Sequence, residues 1–392
     1  MHLHLHLAKP FAHHDHPREI IRQFTPNWFT VTMGTGVLAL ALNQFPDAPP
    51  LLHIAGAALF LVNILLFILC AALYAARWIF FTRDAMPIWN HPVMPMFLGA
   101  IPMGLATIVN GFLAFGIAHL GPLAVQIATL LWWADAVLAI GIGLLVPFLM
   151  FTRQPHSIES MTAVWLLPIV PAEVTAASGG LLIPHLTDPV TAAHLLFFCY
   201  ALWAFSVPLA IGILAILFLR LVLHKLPKRD MAVSSWLALG PLGTGALSLL
   251  VLGRDAPAAL GGIGLQDIGV VAHGIGLVGG LMLWGYGAWW LVMAAVITLT
   301  YVKEGLPFNM GWWGFTFPLG VFTLATLNLG RQTGMAFFSL AGALMTIALL
   351  GFWITVTART IGGGYRGNLF NAPCLATRPA LSPETGLTTW PS

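Results

Sequence analysis

Two acidic side chains sit inside long apolar runs, Asp135 in LLWWADAVLAI and Glu173 in PIVPAEVTAASGG. An ionisable group at membrane depth is costly and is kept where it faces a cavity or a partner. Glu173 follows two prolines and precedes Thr175, Ser178 and the pair Gly179 and Gly180, a polar stretch with open backbone. Those surroundings suit a cavity-facing carboxyl that takes up and releases a proton as cargo passes. Asp135 follows Trp132 and Trp133 on a run without a central proline, which suits a structural bond to a neighbouring helix. No Lys or Arg lies deep in any apolar run. An anion must then be met by helix N-termini, backbone N–H groups and hydroxyls such as Thr35, Thr107, Thr175, Ser178 and Thr244. Such weak binding favours passage over capture.

Other chemistry is not supported. His91, His119, His194 and His273 are isolated in or beside apolar runs and lack metal-site spacing. His2, His4, His6, His13, His14 and His16 belong to a solvated tail. Cys70, Cys199 and Cys374 show no paired spacing, so neither a disulfide framework nor a zinc site is expected. HGIGLVGG at 273–280 contains a literal GxGxxG, but it lies inside an apolar run rather than after a strand. Close helix packing through Gly276 and Gly280 explains it better. No HExxH, GxSxG or paired acid–histidine spacing occurs, so no enzyme, cofactor or metal is expected.

The elements that hold these residues follow from composition. The 392-residue chain is 59% hydrophobic and 7% charged. A soluble domain carries about a quarter charged residues, so most of this surface cannot face water. The apolar runs are continuous rather than alternating, and in lipid that leaves helices. Ten spans are expected, near 24–44, 52–76, 93–115, 123–150, 162–183, 190–220, 235–253, 268–301, 308–328 and 334–357. Residues 1–23 then form a His-rich tail, 24–357 the membrane domain and 358–392 a loosely ordered C-terminal tail. The first 23 residues lack the layout of a cleaved signal peptide, so the first helix is expected to stay in place.

Basic residues set the orientation. Lys9, Arg18, Arg22, Arg77, Arg83, Arg153, Arg220, Lys225, Lys228, Arg229, Lys303, Arg359, Arg366 and Arg378 fall on the side of the termini. The other side holds Arg254 and Arg331. Fourteen against two, together the chain's 16 basic residues, places both termini in the cytoplasm of a bacterial-type inner membrane. The KLPKRD loop at 225–230 is covered by the same rule, and no nucleic-acid partner is expected.

The odd spans share a proline followed by small residues. Pro26, Pro102, Pro168, Pro241 and Pro318 are 76, 66, 73 and 77 residues apart, one helical hairpin per repeat. Proline kinks a helix and frees a carbonyl, and such helices survive in lipid where they line a cavity. Five kinked helices lining one path, with the even spans outside, are therefore expected.

FTPNWFTVTMGTG, WLLPIVPAEVTAASGG and WWGFTFPLG resemble the tellurite-resistance/dicarboxylate transporter family over roughly 24–357. That family includes fungal malate permeases, fungal sulfite exporters, bacterial tellurite-resistance proteins and slow-type anion channels of plants. The resemblance implies an all-α membrane protein of ten helices, five hairpins around a pseudo-fivefold pore. It implies a pore-plugging phenylalanine at Phe317, with Phe315 facing elsewhere, and makes a homotrimer an expectation. Glu173 departs from the channel branch and points to proton-coupled transport of a C4-dicarboxylate such as malate. Sulfite efflux, a gated chloride or nitrate channel, and a tellurite-resistance-type exporter are the alternatives.

Overall fold

The computed structural model describes residues 16–45 and 49–376. The tail histidines other than His16 therefore lie outside the described residues. Ten α-helices of twelve residues or more carry the architecture. They are α1 (Thr30–Leu42), α2 (Pro50–Phe80), α3 (Ala100–Gly111), α4 (Pro122–Thr152), α5 (Pro171–Leu182), α6 (Pro189–His224), α7 (Leu239–Gly261), α8 (Gln266–Val302), α9 (Phe317–Thr333) and α10 (Ala336–Arg366). Proline opens α2, α4, α5 and α6, where its missing N–H would have no partner anyway. Gly334 and Gly367, at φ 69° and 86°, end α9 and α10 in the left-handed conformation that glycine tolerates.

Seven helical stretches are long and apolar enough to cross a membrane. The other three expected spans contain α1, α5 and α9, whose α-helical parts are 13, 12 and 17 residues long. The helices fall into two populations. In the most apolar 18-residue window of Arg229–Gly261, 94% of the residues are buried, against 17% in that of Gln266–Val302. The short α1 is buried throughout, and α5 and α9 nearly so. The odd helices form the interior and the even helices the apolar exterior, an all-α membrane protein.

The odd helices pack in a closed circuit, α1 on α3, α3 on α5, α5 on α7, α7 on α9 and α9 back on α1. Each even helix lies against the odd helix before it and the odd helix after it. One polar bond recurs at each outer seam. Asn63 on α2 donates to Thr107 Oγ1 on α3 at 3.0 Å, and the Trp132 indole on α4 donates to the Thr175 carbonyl on α5 at 2.9 Å. Trp203 on α6 donates to the Gly245 carbonyl on α7 at 3.0 Å. Trp284 on α8 donates to Thr326 Oγ1 on α9 at 2.8 Å, and Trp353 on α10 to Thr35 Oγ1 on α1 at 3.1 Å. In lipid an unpaired indole N–H or hydroxyl is expensive, so five such bonds fix the register of the outer helices on the ring.

The inner helices approach closely because their contact points are glycine. A Cβ at Gly36 would lie 2.0 Å from Thr107 Oγ1, and one at Gly34 2.2 Å from Thr316 Oγ1. A Cβ at Gly276 of the HGIGLVGG run would lie 2.5 Å from the Leu249 carbonyl, in keeping with a packing role.

Two expectations need correction. The chosen prolines do not kink continuous α-helices. Each odd helix is entered through a tighter turn: 3₁₀ stretches at Pro26–Phe29, Met94–Gly99, Ala163–Leu166, Arg229–Ala238 and Met310–Phe315 precede α1, α3, α5, α7 and α9. Pro26 opens the first of these, Pro168 lies in the turn before α5, and Pro102, Pro241 and Pro318 fall in the first turn of their α-helices. There the proline nitrogen faces carbonyls of the entry turn, so no bond within the α-helix itself is lost. The N–H groups at the junctions are also occupied: Thr30 donates to the Asn27 carbonyl, Ala100 to Phe97, Leu239 to Trp236 and Thr316 to Trp313. At these four junctions the winding changes without a break, and the expected free helix N-termini are not found there.

The second correction concerns the C-terminal tail. Helix α10 runs to Arg366, and residues 367–376 pack down, with Ala372 and Cys374 buried. Phe370 stacks on Trp28 at 4.8 Å, the Ala372 N–H donates to Gln23 Oε1 at 2.8 Å, and Arg77 Nη2 donates to Cys374 Sγ at 3.4 Å. Apolar Leu369, Phe370 and Leu375 within a polar tail are what this docking uses.

Candidate functional site

Two chambers and a narrow neck lie along the axis of the inner ring. The first chamber, about 360 Å³, is lined by the entry turns of all five odd helices and by Asn368, Leu369, Asn371 and Pro373 of the docked C-terminal strap. The second, about 330 Å³, is lined by the far ends of the same five segments. Between them the free space shrinks to about 10 Å³, room for about one water molecule. Met33, Met103, Val170, Gly240 and Phe317, one from each odd segment, line this neck together with Leu166, Leu167, Leu237 and Pro318. Met33, Leu167 and Leu237 belong to both the neck and the first chamber, so the two adjoin.

The order along the chain is the same in each segment. Thr30, Met33 and Leu40 follow one another on α1, and Gly314, Phe317 and Leu324 on the ninth segment, from first chamber to neck to second chamber. Phe317 and Leu324 are seven residues apart, about 10 Å of helix rise. Phe317 is buried and lines the neck. Phe315 turns outward and stacks on Phe352 of α10 at 4.9 Å.

The polar candidates fall elsewhere. Glu173 and Asp135 are fully buried but line neither chamber nor the neck. Glu173 lies at the seam between α5 and α7, with its Oε1 2.6 Å from Thr244 Oγ1, while its backbone carbonyl accepts a 2.8 Å bond from Ser248 Oγ. Thr244 Oγ1 is also 2.7 Å from the Gly240 carbonyl. A hydroxyl has one hydrogen and cannot donate to both oxygens. Both contacts are satisfied when Glu173 carries a proton and donates it to Thr244, which in turn donates to Gly240. Asp135 repeats the arrangement on α4: its Oδ2 is 2.6 Å from Thr175 Oγ1, itself 2.9 Å from the Pro171 carbonyl. Glu173 Oε2 and Asp135 Oδ1 have no partner, a state that a neutral carboxyl tolerates far better than a carboxylate. Each acid ties two helices together.

The hydroxyls are committed in the same way. Thr35 and Thr107 receive Trp353 and Asn63, and Ser178 donates to the Val174 carbonyl at 3.1 Å. The cavity-facing reading of Glu173, Thr175, Ser178, Thr35, Thr107 and Thr244 is thus corrected: none of them lines a chamber or the neck, and each is bonded along its helix or to a neighbouring one. His91 Nδ1 accepts the Val93 and Met94 N–H groups, both at 3.1 Å, and no cluster of metal-ligating side chains occurs among the described residues.

What sequence reading missed is the second chamber's charge. Gln44, Asn110, His185, Arg254, Asn328 and Arg331 line it, and the two arginines bring cationic groups to the axis that no apolar run contains at depth. The signal was available: they are the two basic residues left on the side opposite the termini.

A multi-pass helical protein whose inner ring encloses two chambers joined by an apolar neck is a membrane transporter or channel. The chain belongs to the voltage-dependent anion channel family (SLAC1), whose description matches residues 23–361. Accordingly it is a transport protein for small anions. Among its relatives is the sulfite efflux pump SSU1 of Trichophyton rubrum, 38% identical over 343 residues, covering 87% of this chain and 91% of the relative. An uncharacterised transporter of Methanocaldococcus jannaschii is 30% identical over 352 residues, 89% of this chain and 97% of its own. The malic acid transport protein of Schizosaccharomyces pombe is 22% identical over 383 residues, 94% and 84% of the two chains.

Proposed function

We propose that this protein is a gated exporter of sulfite or a similarly small oxyanion, with Phe317 as the gate. The observation that carries the reading is the single axis on which all five odd segments line first chamber, neck and second chamber in the same order. A neck that holds about one water molecule suits a small ion once one aromatic ring moves aside. Similarity at 38% to proteins named sulfite efflux pumps supports that cargo over a dicarboxylate. The fourteen-to-two basic asymmetry supports an inner-membrane location with both termini cytoplasmic, so that the first chamber opens inward. The protein acts without a catalytic step or cofactor, and as a homotrimer by the family resemblance.

Malate transport coupled to protons is the second reading, favoured by similarity to the malic acid transport protein. Coupling through Glu173 has lost its simplest route, since that carboxyl stands at a helix seam. Purified protein in liposomes separates the readings. Sulfite flux that exceeds malate flux and persists without a proton gradient supports the exporter. Malate accumulation driven by a proton gradient supports the second reading, and chloride or nitrate conductance exceeding both supports a channel.

A further inference from the structure

The odd helices run parallel, so their C-terminal ends, the negative poles of the helix dipoles, surround the second chamber. Left to the backbone, that mouth would repel an anion. Arg254 on α7 and Arg331 on α9 reverse the sign there. Basic residues are strongly depleted on this side of the protein, and the two that persist line one cavity.

Their hydrogen bonds leave them poised for a ligand. Arg254 is held by its neighbour Asp255, which accepts from Nε at 2.9 Å and from Nη2 at 2.8 Å, leaving Nη1 uncommitted. Asp255 is not part of the chamber lining, so it orients the guanidinium from behind. Arg331 Nη2 donates to Gln44 Oε1, leaving Nε and Nη1 uncommitted. Arg331 and Arg254 line the same chamber, and an anion held between two like charges would relieve their repulsion. With Asp255 neutralising one of the two, the cluster carries one net positive charge, enough to hold a small anion without trapping it. Uncommitted N–H groups on planar guanidiniums match the paired oxygens of an oxyanion better than a spherical halide.

We propose that Arg254 and Arg331 form an oxyanion-binding station in the second chamber, the last site an exported ion occupies and the one that discriminates it from halide. This rests on the reading that the axis carries anions, and the test separates the two. The full-length protein in detergent is titrated with sodium sulfite, with sodium sulfate as an oxidation-resistant oxyanion and sodium chloride at matched ionic strength, by calorimetry. The wild type should bind the oxyanions at least about tenfold tighter than chloride. Arg331→Gln should weaken oxyanion binding about tenfold or more, Arg331→Lys less, and Arg254→Gln plus Arg331→Gln should abolish the preference over chloride. Unliganded melting temperature and size-exclusion profile establish that each variant is folded. Unchanged oxyanion binding in the folded double variant overturns the station, as does equal binding of chloride by the wild type. Liposome flux is measured in parallel. Binding without sulfite flux in the wild type would sink the exporter reading and leave the station standing, whereas flux with unaltered binding in the variants would do the reverse.

Discussion

Replacing Phe317 with alanine tests the neck most directly. The ring is buried among Met33, Met103, Val170, Gly240 and the leucines of the entry turns, in a space that otherwise admits about one water molecule. An anion passing through must shed much of its hydration into an apolar collar, a cost of several kcal/mol even for a partly compensated polar group. Removing the ring widens the collar enough for water to accompany the ion. If that lowers the barrier by about 3 kcal/mol, flux rises roughly a hundredfold, since each ~1.4 kcal/mol is a factor of ten. Phe→Ala in a dry core costs about 3–5 kcal/mol of stability, and less is expected here because the neck adjoins the first chamber, from which water can fill the space left. Phe315 is the matched control, an equally buried aromatic that stacks on Phe352 and meets Trp236 edge-on. Phe315→Ala should lower the melting temperature at least as much and leave flux within about twofold. The assay is sulfite efflux from proteoliposomes, normalised to protein that elutes as a folded species. Equal flux gains at both positions, or none at Phe317, would refute the gate.

Other variants probe the ring and its orientation. Glu173→Gln supplies an amide that donates to Thr244 as the neutral acid does, so sulfite flux and its pH dependence should stay near wild type; loss of a proton-driven component would restore Glu173 to the transport path. Gly36→Ala places a methyl 2.0 Å from Thr107 Oγ1 and 2.6 Å from Asn63 Nδ2, so it should destabilise by about 1–3 kcal/mol or more, read as a lower melting temperature; an unchanged one would mean that α1 and α3 can part freely. Reporter fusions at Lys228 and Lys303 should read as cytoplasmic and one at Arg331 as periplasmic, and a periplasmic signal at Lys228 would invert the direction of export.

The sequence by itself determined the membrane class, the approximate places of the helical segments, the alternation of inner and outer helices and the family. These rest on apolar run length, on recurring prolines and on short motifs, all local in the chain. Phe317 was set apart from Phe315 by the resemblance of WWGFTFPLG to its family, and in the fold Phe315 ends the 3₁₀ entry turn while Phe317 opens α9. Which way each polar residue turns was not local information. Thr35 and Trp353 are 318 positions apart, and only the closing of the ring brings them together. The same closure sends Glu173 to Thr244 and leaves the neck to methionine, valine, leucine and phenylalanine, with Gly240 and Pro318. Polar groups in lipid go where partners are, and tertiary packing decides where partners are. It also decides that Arg254 and Arg331, far apart in sequence and unremarkable in their own segments, share one chamber.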